Sequence, residues 1–103
     1  MNIIVYITCR DGKEAKEVSM HLLNKRLVAC CNMFPVESMY WWKKDIQFEK
    51  EFAIIAKALK KNFNKIKAEV KKVHSYDVPC VICFEIKDGN PDFLRWIRRE
   101  TEK

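Results

Sequence analysis

The sequence has few glycines, few prolines and no long apolar segment. Only two of its 103 residues are glycine, Gly12 and Gly89, so a glycine-rich loop that cradles phosphates is excluded. No apolar run approaches the ~20 residues of a membrane-spanning helix, so we expect no membrane partner. No set of nucleophile, base and orienting residue is apparent, and we predict that the protein is not an enzyme.

The N-terminal segment also lacks the features of a secretory signal. Residues 1–7 have no basic start and are too short for a signal peptide, and they are typical of a β-strand. The five cysteines are an odd number, and without a secretory signal reduced thiols are expected. These features predict a cytoplasmic protein, and the chain length predicts a single domain over residues 1–103.

Hydrophobic periodicity and turn signals divide the chain into seven elements. They are strand 2–7, a helix that Asp11 caps and that ends near 24, strand 27–42 with a break, strand 47–59, a helix from about 63 to 73, strand 78–86, and a helix after Asn90. This order predicts an α+β fold. Its core would be a ferredoxin-like βαββαβ antiparallel sheet with helices on one face, followed by an added C-terminal helix.

Two positions within the strands are unusual. Pro35 has no N–H for a sheet ladder, so we expect the second strand to break or kink there and extended structure to resume at Glu37. The segment from Lys43 to Asp45 predicts a hairpin turn, although a lysine with positive φ is uncommon.

Cys80 and Cys83 have the spacing of a zinc or redox motif. They occur in an apolar, β-branched run, and residues three apart in a strand point to opposite faces. Two thiolates on opposite faces cannot share one metal ion. We therefore interpret this pair as inert, buried thiols.

Five segments of the chain together resemble the CutA family of small proteins associated with divalent-cation tolerance. They run from Arg26 to Asn32, Ser38 to Trp42, Ile54 to Lys57, His74 to Pro79 and Gly89 to Ile97. The departures from the family pattern are Ser75 for proline, Asp77 for glutamate and Lys44 for a frequent glycine. The resemblance implies a homotrimer that binds copper, another divalent metal ion or a small ligand in clefts between subunits.

The resemblance also implies where the ligand and the neighbouring subunits bind. The ligand cleft would contain Lys57, His74, Tyr76 and Asp77, with Trp42 close by. The trimer interface would contain Tyr40, Trp41 and Trp42, since aromatic residues are enriched in the cores of protein interfaces.

Cys9, His74 and Cys30 are the candidate copper ligands. Cys9 precedes the first helix, where we expect an accessible thiol with a lowered pKa. His74 offers a neutral imidazole, and Cys30 offers a soft thiolate that suits copper(I). The alternatives are structural roles, with His74 as a helix cap and Cys30 as a small packed side chain.

Two other functions remain open at this stage. The CutA family is architecturally similar to the nitrogen-regulatory PII proteins, so a signalling trimer is the main alternative. The net charge of +6 and the aromatic residues beside Lys43 and Lys44 would also suit a nucleic-acid-binding module. Because lysine and glutamate are interspersed along the chain, nucleic acid is the less favoured partner.

Overall fold

The computed structural model describes residues 1–102, which form four strands, three α-helices and one short 3-10 helix. The elements are β1 (Asn2–Cys9), α1 (Gly12–Asn24), β2 (Cys30–Trp42), β3 (Asp45–Leu59), the 3-10 helix Lys60–Asn62, α2 (Phe63–Val73), β4 (Val81–Glu85) and α3 (Pro91–Thr101). This order confirms the predicted α+β, ferredoxin-like arrangement with an added C-terminal helix.

The four strands form one antiparallel sheet in the order β2-β3-β1-β4. The central strand β1 pairs with β3 from Asn2 opposite Leu59 to Cys9 opposite Phe52. Strand β2 pairs only with β3 within residues 1–102, so it is an edge of the sheet. The β2–β3 hairpin is the longest feature of the molecule and ends in a two-residue turn.

Helices α1 and α2 cover one face of the sheet. Alternate residues of β1 are fully buried beneath them, because successive strand side chains point to opposite faces. The core cluster includes Ile3, Val5, Ile7 and Cys9 of β1, Ala15, Val18 and Leu22 of α1, and Ile66 and Val70 of α2. The other face of the sheet leaves Ile82 and Phe84 exposed.

Two predicted helix caps are confirmed. The Asp11 carboxylate accepts a hydrogen bond from the Glu14 backbone N–H at 2.8 Å and starts α1. Asn90 accepts one from the Asp92 N–H at 3.1 Å and starts α3, with Pro91 at the first helical position. Helix α3 packs on β3 and β1, where the Asn2 side chain donates to the Leu94 carbonyl at 3.2 Å.

Pro35 does not break the second strand, so the predicted break was wrong. It lies opposite Phe52 in a continuous β2. Proline is tolerated on an edge strand because its missing N–H can face away from the ladder. The predicted strand 27–34 also began too early, because Leu27 and Val28 are buried in the segment that leads into β2. Strand β4 is shorter than the predicted strand 78–86.

The predicted hairpin turn is confirmed, with a strained backbone. Trp42 pairs with Asp45, and the two lysines between them have φ angles of 50° for Lys43 and 73° for Lys44. Positive φ at both central positions is the requirement of a type I′ turn, which normally favours asparagine and glycine.

Among residues 1–102, no helix is both long and apolar enough to cross a membrane.

Candidate functional site

A cleft of about 730 Å³ lies between the β2–β3 hairpin and the loop that follows α2. It includes three of the five residues predicted for a ligand cleft, Trp42, Tyr76 and Asp77. The full lining is Thr8, Glu37, Ser38, Met39, Tyr40, Trp42, Gln47, Glu49, Glu51, Tyr76, Asp77, Val78 and Cys80. Its volume is in the ordinary range of small-molecule sites.

The cleft is acidic and aromatic. It contains four carboxylates and no lysine or arginine among its lining residues. The Tyr40 hydroxyl donates to Glu49 at 2.8 Å, and the Tyr76 hydroxyl donates to Glu51 at 2.7 Å. Two phenol–carboxylate pairs thus lie side by side in one cleft.

Both phenols are held in the protonated form. The hydrogen bond to Glu49 raises the pKa of Tyr40. Burial, followed by the hydrogen bond to Glu51, raises the pKa of Tyr76. At neutral pH each tyrosine is therefore a hydrogen-bond donor, and the negative charge of the cleft belongs to the carboxylates.

His74 does not line the cleft but contacts Tyr76, which does. Its side chain is fully buried, and its Nε2–H donates to the Thr8 carbonyl at 2.7 Å. Its Nδ1 accepts from the Tyr76 backbone N–H at 3.1 Å, and the two rings are 4.7 Å apart. Both imidazole nitrogens are thus occupied, and their bonds orient Tyr76 toward Glu51.

Lys57 is not brought to this cleft within one chain. It lies on β3 opposite Cys30 of β2 and Ile4 of β1, and its Nζ contacts the Asn32 side-chain oxygen. Of the predicted set, therefore, Trp42, Tyr76 and Asp77 line one cavity, His74 contacts it from behind, and Lys57 is elsewhere on the sheet.

The structure brings Cys9 and His74 together with Glu14, a residue that the sequence reasoning did not consider as a ligand. One ligand atom from each lies within 4.8 Å of the other two. A thiol, a carboxylate and an imidazole could together hold a transition-metal ion. The Glu14 oxygens and the His74 ring nitrogens that would bind the metal ion, however, already form hydrogen bonds within the protein.

The expectation of an accessible, low-pKa Cys9 was wrong. Cys9 is the last residue of β1, is fully buried, and faces the helices. Burial raises the pKa of its thiol to about 12, and the nearby Glu14 carboxylate adds to the shift. The helix N-terminus cannot lower this pKa, because Asp11 and Glu14 bring negative charge there.

Cys30, the third candidate metal ligand, is separate from the other two. It pairs with Lys57, whereas Cys9 pairs with Phe52, five residues back along β3. That difference corresponds to ~17 Å along the strand. Cys30 therefore does not converge with Cys9 within one chain.

The sequence reasoning missed Cys80, Glu49 and Glu51 as cleft residues. Cys80 precedes β4 and lines the cleft, while Cys83 packs against the core, so the two thiols do not share a site. Glu49 and Glu51 occupy alternate positions of β3 and so share a side of the strand. That alternation was the available signal, but their partner Tyr76 is close only in the folded chain.

The predicted interface residues lie on an exposed hairpin. Trp41 is 71% exposed and has Ile46 opposite it on β3. Met39 and Phe48, the pair two positions along, are also exposed. Tyr40 and Trp42 alternate with these residues and line the cleft, as Met39 also does.

Comparisons with known proteins agree with this architecture. The family model of the CutA1 divalent ion tolerance protein matches residues 3–100. The divalent-cation tolerance protein CutA of Archaeoglobus fulgidus is 39% identical over 102 residues, covering 99% of this chain and 100% of the relative.

Solved structures extend the likeness. One described as the periplasmic divalent cation tolerance protein CutA from Archaeoglobus fulgidus has a TM-score of 0.96 at 39% identity, covering 98% of this chain and 99% of that chain. CutA1 from Pyrococcus horikoshii has a TM-score of 0.93 at 38% identity, with the same coverage of each chain. With the fold and nearly the whole sequence in agreement, the chain belongs to the CutA1 divalent ion tolerance family.

Proposed function

We propose that this protein acts as a homotrimeric, non-catalytic divalent-cation tolerance protein. It would bind copper, another divalent metal ion or a small ligand in clefts between subunits. The observation that carries this proposal is the acidic cleft beside the exposed apolar residues of the β2–β3 hairpin. A second copy that covered the hairpin would enclose the cleft beside it.

The exposed surfaces support a second copy as the partner. Strand β2 has 13 residues, and such a long exposed edge favours pairing with another strand. The apolar side chains of the hairpin, Met39, Trp41, Ile46 and Phe48, are all more than half exposed. Contiguous exposed apolar surface marks interaction sites in soluble proteins.

For copper we propose Cys9 and His74 as ligands; Cys30 does not converge with them within one chain and would contribute only from a neighbouring subunit. Copper stands highest among divalent ions in the Irving–Williams order, and its reduced form prefers thiolates. Glu14 now adds a carboxylate beside Cys9 and His74. Because the thiol must lose its proton before it binds, the raised pKa of Cys9 means that copper binding weakens as the pH falls.

Copper affinity, measured by competition with a chelator, tests these ligands. We expect Cys9→Ser and His74→Ala each to weaken binding by at least about tenfold, and Cys83→Ser, a cysteine outside the cluster, to leave it unchanged. If neither ligand variant weakens binding by more than about threefold, the Cys9–His74 assignment fails. The family membership would stand, and a ligand-binding or PII-like signalling trimer would replace copper binding as the proposed function.

Native mass spectrometry of protein purified without added metal separates the remaining alternatives. A trimer that retains a metal ion supports the proposal, and a trimer that retains an organic ligand favours the signalling alternative. A nucleic-acid-binding module would instead lose its affinity steeply with salt. Cell fractionation tests the proposed cytoplasmic location, since a relative's structure is described as periplasmic.

A further inference from the structure

Within residues 1–102, Glu51 is a buried carboxylate without an ion-pair partner. Its side chain lines the cleft, and the residue is only 6% exposed. Its one hydrogen-bond donor within residues 1–102 is the neutral Tyr76 hydroxyl. A buried charge is costly unless an opposite charge compensates it. The cleft therefore contains a buried carboxylate that forms no direct ion pair within residues 1–102, although Arg10 and Lys50 line a neighbouring cavity with it.

Within residues 1–102, the glutamates of the cleft belong to no group of three potential metal ligands. Glu49 and Glu51 are two residues apart on β3, which separates their backbone positions by ~7 Å. Ca²⁺ and Mg²⁺ take about six to eight oxygen ligands, more than two glutamates supply. Within residues 1–102, the group of three potential ligand atoms that does converge is that of Cys9, Glu14 and His74, outside the cleft lining.

Aromatic rings complete a surface suited to an organic cation. Tyr40, Trp42 and Tyr76 line the same cleft as the two glutamates. The Trp42 ring already attracts a cation, because the Lys43 Nζ from the hairpin turn lies 5.9 Å from its centroid. Ammonium groups bind favourably both to carboxylates and to aromatic faces, and alkyl segments pack on aromatic rings.

We propose that this cleft binds a linear organic diamine or polyamine. One ammonium group would pair with Glu51 and the next with Glu49, while the methylene chain between them lies against the aromatic rings. The ~7 Å between the two backbone positions is comparable with the length of a short diamine such as 1,4-diaminobutane. This inference rests on the proposed function, in which the cleft is the ligand site, and it names the class of ligand.

Calorimetric titration at constant ionic strength tests the ligand class. The probes are 1,4-diaminobutane, n-butylamine and butane-1,4-diol, which share a four-carbon chain and differ in charge. We expect the diamine to bind, the monoamine to bind about tenfold more weakly, and the uncharged diol not to bind. Added sodium chloride should weaken diamine binding, since the attraction is electrostatic.

Three variants locate the binding. Glu51→Gln and Glu49→Gln each remove one charge from the cleft and should weaken diamine binding by about tenfold or more. Glu17→Gln removes the same charge from an exposed position on α1 and should change nothing. Because Glu51 is buried, thermal unfolding checks that its variant folds, and the exposed Glu49 provides the second, less intrusive test.

The same variants, titrated with copper(II), zinc and magnesium ions, distinguish the possible failures. Diamine binding that is equal in Glu51→Gln and Glu17→Gln overturns the inference. If Glu51→Gln weakens the binding of a metal ion and not the binding of the diamine, the inference fails and the proposed metal-binding function stands. If neither diamine nor metal binding depends on Glu49 or Glu51, the inference and the cleft as the ligand site both fail.

Discussion

At the scale of single residues, Glu14 joins three segments of the chain. It is only 2% exposed, and its carboxylate accepts hydrogen bonds from the Arg10 backbone N–H, the Arg10 guanidinium and the Ser75 backbone N–H. Burial acts to raise the pKa of Glu14, but the bonds from Arg10 and Ser75 outweigh it, and the pKa is lowered from its usual 4.5. Glu14 therefore stabilises the fold in its charged form.

We predict that Glu14→Gln destabilises the protein at neutral pH by about 2 kcal/mol, since a neutral amide leaves buried donors unpaired. A lowered folded-state pKa means that the stabilisation is present above pH 4.5 and is lost as the pH falls through the folded value. The difference between wild type and variant should therefore shrink in acid. Urea unfolding across pH at one protein concentration measures it, with Glu17→Gln as the control; a difference that is constant with pH would contradict the prediction.

At the scale of elements, the β2–β3 hairpin combines long, regular strands with an unfavourable turn. Both lysines of the turn have positive φ. An L-residue in the left-handed region costs roughly 1–2 kcal/mol, because its Cβ approaches the carbonyl oxygen. The thirteen paired positions between β2 and β3 hold the turn in this conformation despite the strain.

We predict that Lys44→Gly stabilises the protein by about 1 kcal/mol, because glycine adopts positive φ without a steric penalty. The matched control is Lys44→Ala, which removes the same charged side chain, keeps the Cβ and should give no such gain. Equilibrium unfolding in urea measures both. Equal stability of the glycine and alanine variants would show that the φ of 73° is not a source of strain.

At the scale of the whole molecule, the proposed trimer depends on the hairpin surface. Trp41 is 71% exposed in the single chain, and a second copy would bury it. Large aromatic residues of this kind dominate binding energy in protein interfaces. The mass of one chain is 12.3 kDa, so sedimentation distinguishes a monomer from a trimer of three times that mass.

We predict that the wild type sediments as a trimer at micromolar concentration. Trp41→Glu should weaken association by about 2 kcal/mol or more, because it places a charge in the interface. Met20→Glu is the matched control: it changes an exposed apolar residue of α1, outside the hairpin, and should leave the trimer intact. A wild type that remains monomeric throughout this range would refute the trimer.

The sequence by itself determined the features that depend on neighbouring residues. The order of strands and helices, the caps at Asp11 and Asn90, and the apolar face of α2 with Ile66 and Val70 all follow from local periodicity and hydrogen bonding. Even the burial of Cys9 had a local signal, because Cys9 continues the alternation of Ile3, Val5 and Ile7. The resemblance of five segments to the CutA family pattern then identified the family.

Only the tertiary structure decided which distant residues meet. Pro35 is tolerated because β2 is an edge of the sheet, a fact set by the pairing of all four strands. His74 orients Tyr76 only because Thr8, 66 residues away, offers its carbonyl. Likewise Tyr76 reaches Glu51 across the sheet, while Lys57 lies elsewhere on it. Such contacts depend on chain topology and packing, which no local pattern of residues specifies.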